Sequence, residues 1–419
     1  MTSGGRTRAV GVGGHLNTQE ETRPKRILIV SDEGFAAGGI GTSTANLAVA
    51  LAQAGQDVVL VWPDAERVQL TGVRQVAVNA KRFDVGKLGF VMLALPPSQA
   101  AMPSDWIPDV VHVMRPTYLA LWAFRLAKTS QAKVVLSMHE IVEQLPNATW
   151  FGKVLRRVAT WWFRRHYNAA SQSVTPAKFV TEHAYTTLAL TKKPKYLSNA
   201  LDLTAWQALA RDAGVEAPLT ERRGALKICT VINFSPYKNP LMIPALWAEL
   251  RQRGIEIELQ LVGGGVLFEE VRQKIKSLGL ENLIVLRGPL GRNDVAQVIA
   301  SSDAFLLTSY FELQPMVLIE AKALGTPAMV AKAPLSGAVN LIEDGVTGVL
   351  FDLDVQKAAD TLAPYFRNPE RLRSLRAATY ADAAQYDLEP VARAALEIYN
   401  DADLNTGVEW RSSQPKTSF

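Results

Sequence analysis

Cysteine and long apolar runs are nearly missing from this 419-residue chain. Its one cysteine, Cys229, has no partner with which to close an internal disulfide, so no disulfide framework holds the fold. Set in the apolar run Leu226-Lys227-Ile228-Cys229-Thr230-Val231-Ile232, it reads as a buried strand residue. No stretch reaches the roughly eighteen apolar residues that a membrane-spanning helix requires. Residues Met1 to Pro24 are rich in Gly, Thr and Arg and lack the apolar core of a secretion signal, which predicts an unstructured tail and a cytoplasmic protein. No His/Cys cluster has zinc-ligand spacing. Also missing are a repeat of solenoid period, a nucleic-acid-binding module and the Gly-x-x-x-x-Gly-Lys-Ser/Thr loop of nucleoside triphosphatases. Neither a metal, a cofactor nor nucleic acid is therefore expected.

What is present belongs to an ordinary globular protein: 48% apolar, 20% charged, net charge +5. The length suits two domains, each with its own core. Apolar, β-rich runs alternate with helical patterns almost throughout, which predicts α/β architecture with parallel sheets. Strands are expected at 26–30, 57–62, 73–78, 109–113 and 133–137 in the first half, with a helix over about 42–54. In the second half they are expected at 227–231, 256–262, 283–286, 304–307 and 328–331. The polar, aperiodic stretch 212–225 reads as a linker. The expected division is thus a tail (1–24), a first domain (25–211), the linker, a second domain (226–385), a closing helix within 386–402 and a second tail (403–419). Open parallel sheets bind ligands beyond the carboxyl ends of their strands.

One segment stands out. In Ser309-Tyr310-Phe311-Glu312-Leu313-Gln314-Pro315-Met316-Val317-Leu318-Ile319-Glu320-Ala321-Lys322-Ala323-Leu324-Gly325-Thr326-Pro327, two carboxylates bracket a helix led by Pro315. Proline suits a first turn, Gly325 suits the position past the end, and Pro327 prevents resumption. The apolar run Ala304-Phe305-Leu306-Leu307 before it reads as a buried strand. A strand thus feeds a loop holding Glu312, and the amides of Met316, Val317 and Leu318 open a helix. Unpaired N–H groups and the helix dipole make such an end an anion site. A second glycine-bearing turn, Gly38-Gly39-Ile40-Gly41, lies between the first strand and the first helix, where backbone amides can approach a phosphate closely.

The segment resembles the Glu-x7-Glu motif of retaining GT-B glycosyltransferases that use sugar nucleotides, the group 1 type. The likeness extends through Glu320-Ala321-x-Ala323-x-Gly325-x-Pro327 and the preceding Ser302-Asp303-Ala304-Phe305-Leu306-Leu307-x-Ser309. It implies two Rossmann-like domains facing across a cleft, with the closing helix, near 389–399, returning to the first domain. It also implies roles: Glu312 on the sugar hydroxyls, Glu320 on the ribose, Gly38 and Gly39 on donor phosphate and acceptor, His139 orienting the sugar. Val231-Ile232-Asn233-Phe234-Ser235-Pro236-Tyr237-Lys238-Asn239 resembles the family's Gly-Arg-x-x-x-x-Lys-Gly loop, which puts Lys238 on the diphosphate. Asn233 falls on the family's Arg and brings no charge; Arg115 is the candidate replacement. Gly263, in Val262-Gly263-Gly264-Gly265, falls where the family approaches the nucleotide, and Leu290 where it holds the base. Leu313 and Gln314 depart from the Gly and aromatic often found there. Asp352-Leu353-Asp354 spells the Asp-x-Asp of a different glycosyltransferase fold, in a region where this family has a surface loop, and no metal role is assigned to it.

The run 151–166 interleaves Lys153, Arg156, Arg157, Arg164, Arg165 and His166 with Phe151, Val154, Leu155, Trp161, Trp162 and Phe163. Cationic residues beside aromatics are a peripheral-membrane signature, so Arg156, Arg157, Trp161, Trp162, Arg164 and Arg165 are expected to form a membrane or acceptor surface. The expected partners are a nucleotide-sugar, a glycan, lipid-linked or cell-envelope acceptor, and an anionic membrane. Two alternatives stay open at this point: an epimerase or hydrolase of the same fold, and a catalytically silent partner subunit, for which Asn233 is the argument.

Overall fold

The structure, a computed structural model, describes residues 23–35, 39–84, 90–98, 101–144, 150–215 and 226–402. Gly38, most of the expected linker, all but Arg23 and Pro24 of the first expected tail and the whole of the second lie outside them.

The first half builds strands β1 (Arg26–Val30), β2 (Asp57–Trp62), β3 (Val73–Ala77), β4 (Ala80–Asp84), β5 (Phe90–Ala94), β6 (Val110–Val113), β7 (Lys133–Ser137), β8 (Gln172–Thr175) and β9 (Lys195–Tyr196). All but β4 and β5, which form an antiparallel hairpin, join one parallel sheet in the order β3-β2-β1-β6-β7-β8-β9. The strands read as continuous apolar runs because both faces are covered. In β1, Ile27 and Ile29 enter one apolar cluster and Leu28 and Val30 the other, the two-residue period of a strand sandwiched between helices. Helix Tyr118–Ser130 lies on one side; helices Gly39–Gln53 and Leu388–Asp401 share the other.

The second half builds β10 (Lys227–Val231), β11 (Glu258–Val262), β12 (Ile284–Gly288), β13 (Ala304–Leu307), β14 (Phe311–Glu312), β15 (Ala328–Lys332), β16 (Leu335–Ser336) and β17 (Gly348–Asp352). Its main sheet is parallel, in the order β12-β11-β10-β13-β15-β17, and β14 pairs with β16 apart from it. Strand order reverses between β1 and β6 in one sheet and between β10 and β13 in the other, the points at which such sheets open a crevice.

Helix Gly39–Gln53 starts before the expected 42, because Gly41 lets the helix lie against the Gly34 carbonyl, where a Cβ would overlap it. Helix Leu388–Asp401, capped by Asp387, belongs to the second half in sequence but packs Val391, Ala395 and Ile398 into the first sheet's cluster. Tyr399 Oη pairs there with His112 Nδ1 at 2.6 Å. The two chain crossings run side by side, with the Leu201 N–H donating to the Tyr386 carbonyl at 2.9 Å. Asp354, in the Asp-x-Asp run, caps helix Val355–Arg367 by accepting from the Lys357 N–H. No helix among the described residues is long and apolar enough to cross a membrane.

Candidate active site

The loops after β10 and β13 leave the second sheet at its switch point and are stitched together. After β10 the chain makes a 3-10 turn, Pro236–Lys238, that ends with Asn239 at φ 52°. Thr308 Oγ1 donates to the Asn239 carbonyl (3.1 Å), and the Tyr310 N–H to the Tyr237 carbonyl (2.8 Å). This seats Lys238 beneath β14. Its Nζ donates to both oxygens of Glu312, each at 2.7 Å, and Ser309 Oγ donates to Glu312 Oε1, also at 2.7 Å. The residues to which sequence gives separate duties, sugar and diphosphate, are thus one ion pair, with Glu312 buried and Lys238 partly exposed.

Two local expectations need correction. Glu312 sits in a two-residue strand, because Phe311 and Glu312 find partners in Leu335 and Ser336. Pro315 is the cap before helix Met316–Ala323 rather than a residue of its first turn, and the Leu318 N–H closes that turn onto the Pro315 carbonyl at 3.0 Å. Of the three amides expected to be open, only those of Met316 and Val317 therefore lack a partner within the turn. Gly325 ends the helix with φ 62°, the left-handed position glycine favours.

Around this core lie the residues expected on the nucleotide side. Gly263 has φ 132°, and its Cα lies so close to the Ile232 carbonyl that any side chain would overlap it. The Phe234 N–H donates to the Gly264 carbonyl at 2.8 Å, joining the Asn233 loop to the glycine turn. Asn233 is exposed there, and Leu290 is half-buried against the second domain's core. Glu320 points into a different environment from Glu312: burial pushes its carboxyl up to about 7, with the Arg292 charge pulling it back down. Arg292 lies 5.1 Å above the Trp206 ring, whose Nε1 donates to the Glu320 carbonyl at 3.1 Å. Nothing in the spacing of Arg292 or Trp206 marks them; they arrive through helix packing.

From the first domain, Gly39 faces this site: a Cβ there would meet Met316 Cγ at 3.7 Å, so two helix N-termini approach one another. His139 follows β7 with Nε2 buried and without a hydrogen-bond partner. Burial and then the Arg115 charge lower its pKa to about 4, so the ring is neutral and can orient a hydroxyl but not carry charge. Arg115, the expected replacement for the missing charge at Asn233, finds its ion-pair partners within the first domain. It is ion-paired to Glu33 and Glu140, with Asp32 at 3.8 Å, and three carboxylates leave it no charge to lend. Burial raises Glu33 to about 7 against the pull of Arg115. This acidic wall was not anticipated, although Asp32-Glu33 directly after β1 was the available signal.

The basic aromatic run is helix Trp150–Ala169, and its expected surface divides. Trp162 turns inward, donating Nε1 to the Pro116 carbonyl, with its ring centroid 4.2 Å from that of His166 and the two planes inclined at 42°. Arg156 faces Glu143 at 3.7 Å. Outward, Trp161 is 58% exposed and aligns with exposed Trp150, Val154 and Val158 at helical spacing. Lys153, Arg157 and Arg164 are exposed beside that stripe, and Arg165 lies 5.9 Å over the Trp161 ring.

Comparison with known proteins gives this geometry its family. Residues 216–382 match the model described as Glycosyl transferases group 1, and residues 37–205 that of Glycosyltransferase Family 4. Glycogen synthase of Mycobacterium tuberculosis is 25% identical over 405 residues, 89% of this chain and 94% of that one. D-inositol 3-phosphate glycosyltransferase of Rhodococcus erythropolis is 29% identical over 212 residues, 49% of this chain and 47% of its own length. Among solved structures, Anabaena HepE in complex with UDP-glucose superposes with TM-score 0.65 at 18% identity, covering 90% of this chain and 99% of HepE. Sucrose-phosphate synthase from Thermosynechococcus elongatus gives 0.67 at 18% identity, covering 90% and 98%. These two likenesses speak for the fold, the family models for the chemistry. The chain belongs to the group 1 glycosyltransferases of the GT-B fold, enzymes that transfer sugars from nucleotide-sugars.

Proposed function

We propose that the chain moves a hexose from a UDP- or GDP-linked donor to a glycan, lipid-linked or cell-envelope acceptor with retention of anomeric configuration. The observation that carries this is the Lys238–Glu312 pair set against the open end of helix Met316–Ala323, with Gly39 opposite. An anion entering there meets an ammonium and two helix ends, while the carboxylate beside it suits sugar hydroxyls. The acceptor oxygen attacks the anomeric carbon on the face from which the diphosphate leaves. The C–O bond to phosphate breaks as the new one forms, and the acceptor proton passes to the departing phosphate oxygen. Lys238 and the helix ends meet the developing charge, Glu312 holds the sugar, neutral His139 orients it, and Glu320 takes the ribose hydroxyls. The Anabaena relative's UDP-glucose complex supports the donor class.

Helix Trp150–Ala169 supports a place on the inner face of the plasma membrane. Its Trp150, Val154, Val158 and Trp161 stripe with flanking Lys153, Arg157 and Arg164 suits the boundary of an anionic bilayer, where aromatic rings settle and cations are attracted. Proton NMR of the product formed from the accepted donor tests the stereochemistry. The donor's anomeric coupling should reappear in the product, and an inverted coupling would overturn retention.

A further inference from the structure

The strand that carries Glu312 belongs to both domains at once. Phe311 and Leu313 pack against the apolar cluster of the first domain, while Glu312 between them turns to Ser309 and Lys238 of the second. This is the two-residue period of a strand used as a seam. Gln314 completes it. The residue is only 6% exposed, and its side chain is spent on the other domain. Its Oε1 accepts from the Asn199 N–H at 2.7 Å; its Nε2 donates to Ser198 Oγ at 2.8 Å and, at greater length, to Tyr196 Oη at 3.4 Å. The Asn199 side-chain amide returns a bond to the Gln314 carbonyl at 3.5 Å. Gly337 also presses close, so that a Cβ there would overlap the Leu313 carbonyl oxygen. The loop between the two motif carboxylates is thus held at Leu313 and at Gln314, just where this chain departs from the Gly and aromatic often found in its family.

We infer that Gln314 is a positioning residue, an interdomain clasp that sets the orientation of the two domains and the placement of the Glu312–Lys238 pair together. The partners Ser198 and Asn199 lie immediately before the chain crosses between domains, so the clasp grips at the hinge rather than at the cleft mouth. A shift of the first domain would be felt at Pro315 and the helix end one residue away. Donor affinity, which rests mainly on Lys238, Glu312, Glu320 and the helix end of the second domain, with only Gly39 and His139 from the first, would be affected less. The consequence for turnover rests on the proposed donor chemistry; the clasp itself does not.

Two measurements test it. The first uses no substrate. Small-angle X-ray scattering of Gln314→Leu, close in volume but unable to hydrogen-bond, should show a larger radius of gyration than wild type. Superimposable profiles would overturn the clasp. The second follows free nucleotide released from UDP-glucose or GDP-glucose, whichever wild type consumes. Gln314→Leu should lower kcat about tenfold or more, leaving the KM for donor within about twofold, the signature of an interaction needed in the transition state but not for binding. Gln314→Glu, which still accepts from the Asn199 N–H and can accept from the Ser198 hydroxyl, should recover much of the loss. Ser198→Ala should lower kcat about threefold alone and add nothing in the Gln314→Leu background; it carries the test should Gln314→Leu not fold. Unchanged kcat in folded variants, or donor affinity falling in step with kcat, would overturn the positioning role. A wild type that consumes neither donor would count against the proposed function and leave the scattering result to decide the clasp.

Discussion

Lys238→Met would strip the ammonium from a carboxylate that the fold has taken out of water. The Glu312 side chain is 6% exposed and that of Lys238 20%, and two contacts of 2.7 Å join them. At an effective dielectric constant of about 20, unit charges at that distance attract by roughly 6 kcal/mol. Dehydrating both ions cancels most of this, so the intact pair adds little net stability, whereas half of it left behind is costly. Ser309 keeps one bond to Glu312, and partial exposure on the Lys238 side admits some water. The expected loss is therefore about 2–4 kcal/mol, toward the lower part of the range for breaking a buried pair. Glu312→Gln in the same background should return at least half of that, because a neutral amide needs no counter-charge. Urea unfolding of wild type, both single variants and the double variant closes the cycle, with an expected coupling of about 2 kcal/mol or more. A Lys238→Met loss below about 0.5 kcal/mol with additive double-variant energies would refute the reasoning.

Glu320 supplies a pH test. Its folded pKa of about 7 lies above the unfolded value of about 4.3, so the associated stability is full below about 4.3 and lost as pH rises through about 7. The Tm difference between Glu320→Gln and wild type should grow in the variant's favour across that window; a flat difference counts against the buried carboxyl. On vesicles containing phosphatidylserine, Arg157→Glu with Arg164→Glu should weaken binding at least about thirtyfold at low salt, on the order of 1 kcal/mol per lost cation, and equal partitioning would remove the membrane assignment. Trp162→Ala should act otherwise. It should lower stability by about 2–3 kcal/mol by losing partly buried packing and the Pro116 bond, whereas Trp161→Ala should change vesicle binding and leave stability within about 0.5 kcal/mol. Cys229, fully buried in β10, should resist a thiol reagent until the protein unfolds.

The sheets were legible because both of their faces are covered. Ile27 to Val30 and Ala304 to Leu307 are unbroken apolar runs whose lengths suit strands, and no tertiary information is needed to see them. The helix within the 312–320 segment was legible for a local reason, since proline and glycine punctuate it. What escaped depended on distant partners. Phe311 and Glu312 become a strand only because Leu335 and Ser336 lie alongside. Arg115 looked free to serve the diphosphate, and only the fold brings it against Glu33 and Glu140. Trp161 and Trp162 are adjacent in sequence and indistinguishable by composition, yet a helical turn of about 100° per residue sends one to solvent and the other to Pro116. Gln314 looked like a mere departure from a pattern until Ser198 and Asn199 were placed against it.

The most direct test of the donor site is calorimetric titration of the folded protein with UDP, GDP and ADP, repeated with Lys238→Ala and Glu320→Ala for the tightest of the three. One nucleotide should bind selectively, and both substitutions should abolish or severely weaken that binding. Failure of all three to bind, or binding that survives both substitutions, would contradict the site built around Lys238, Glu312 and Glu320.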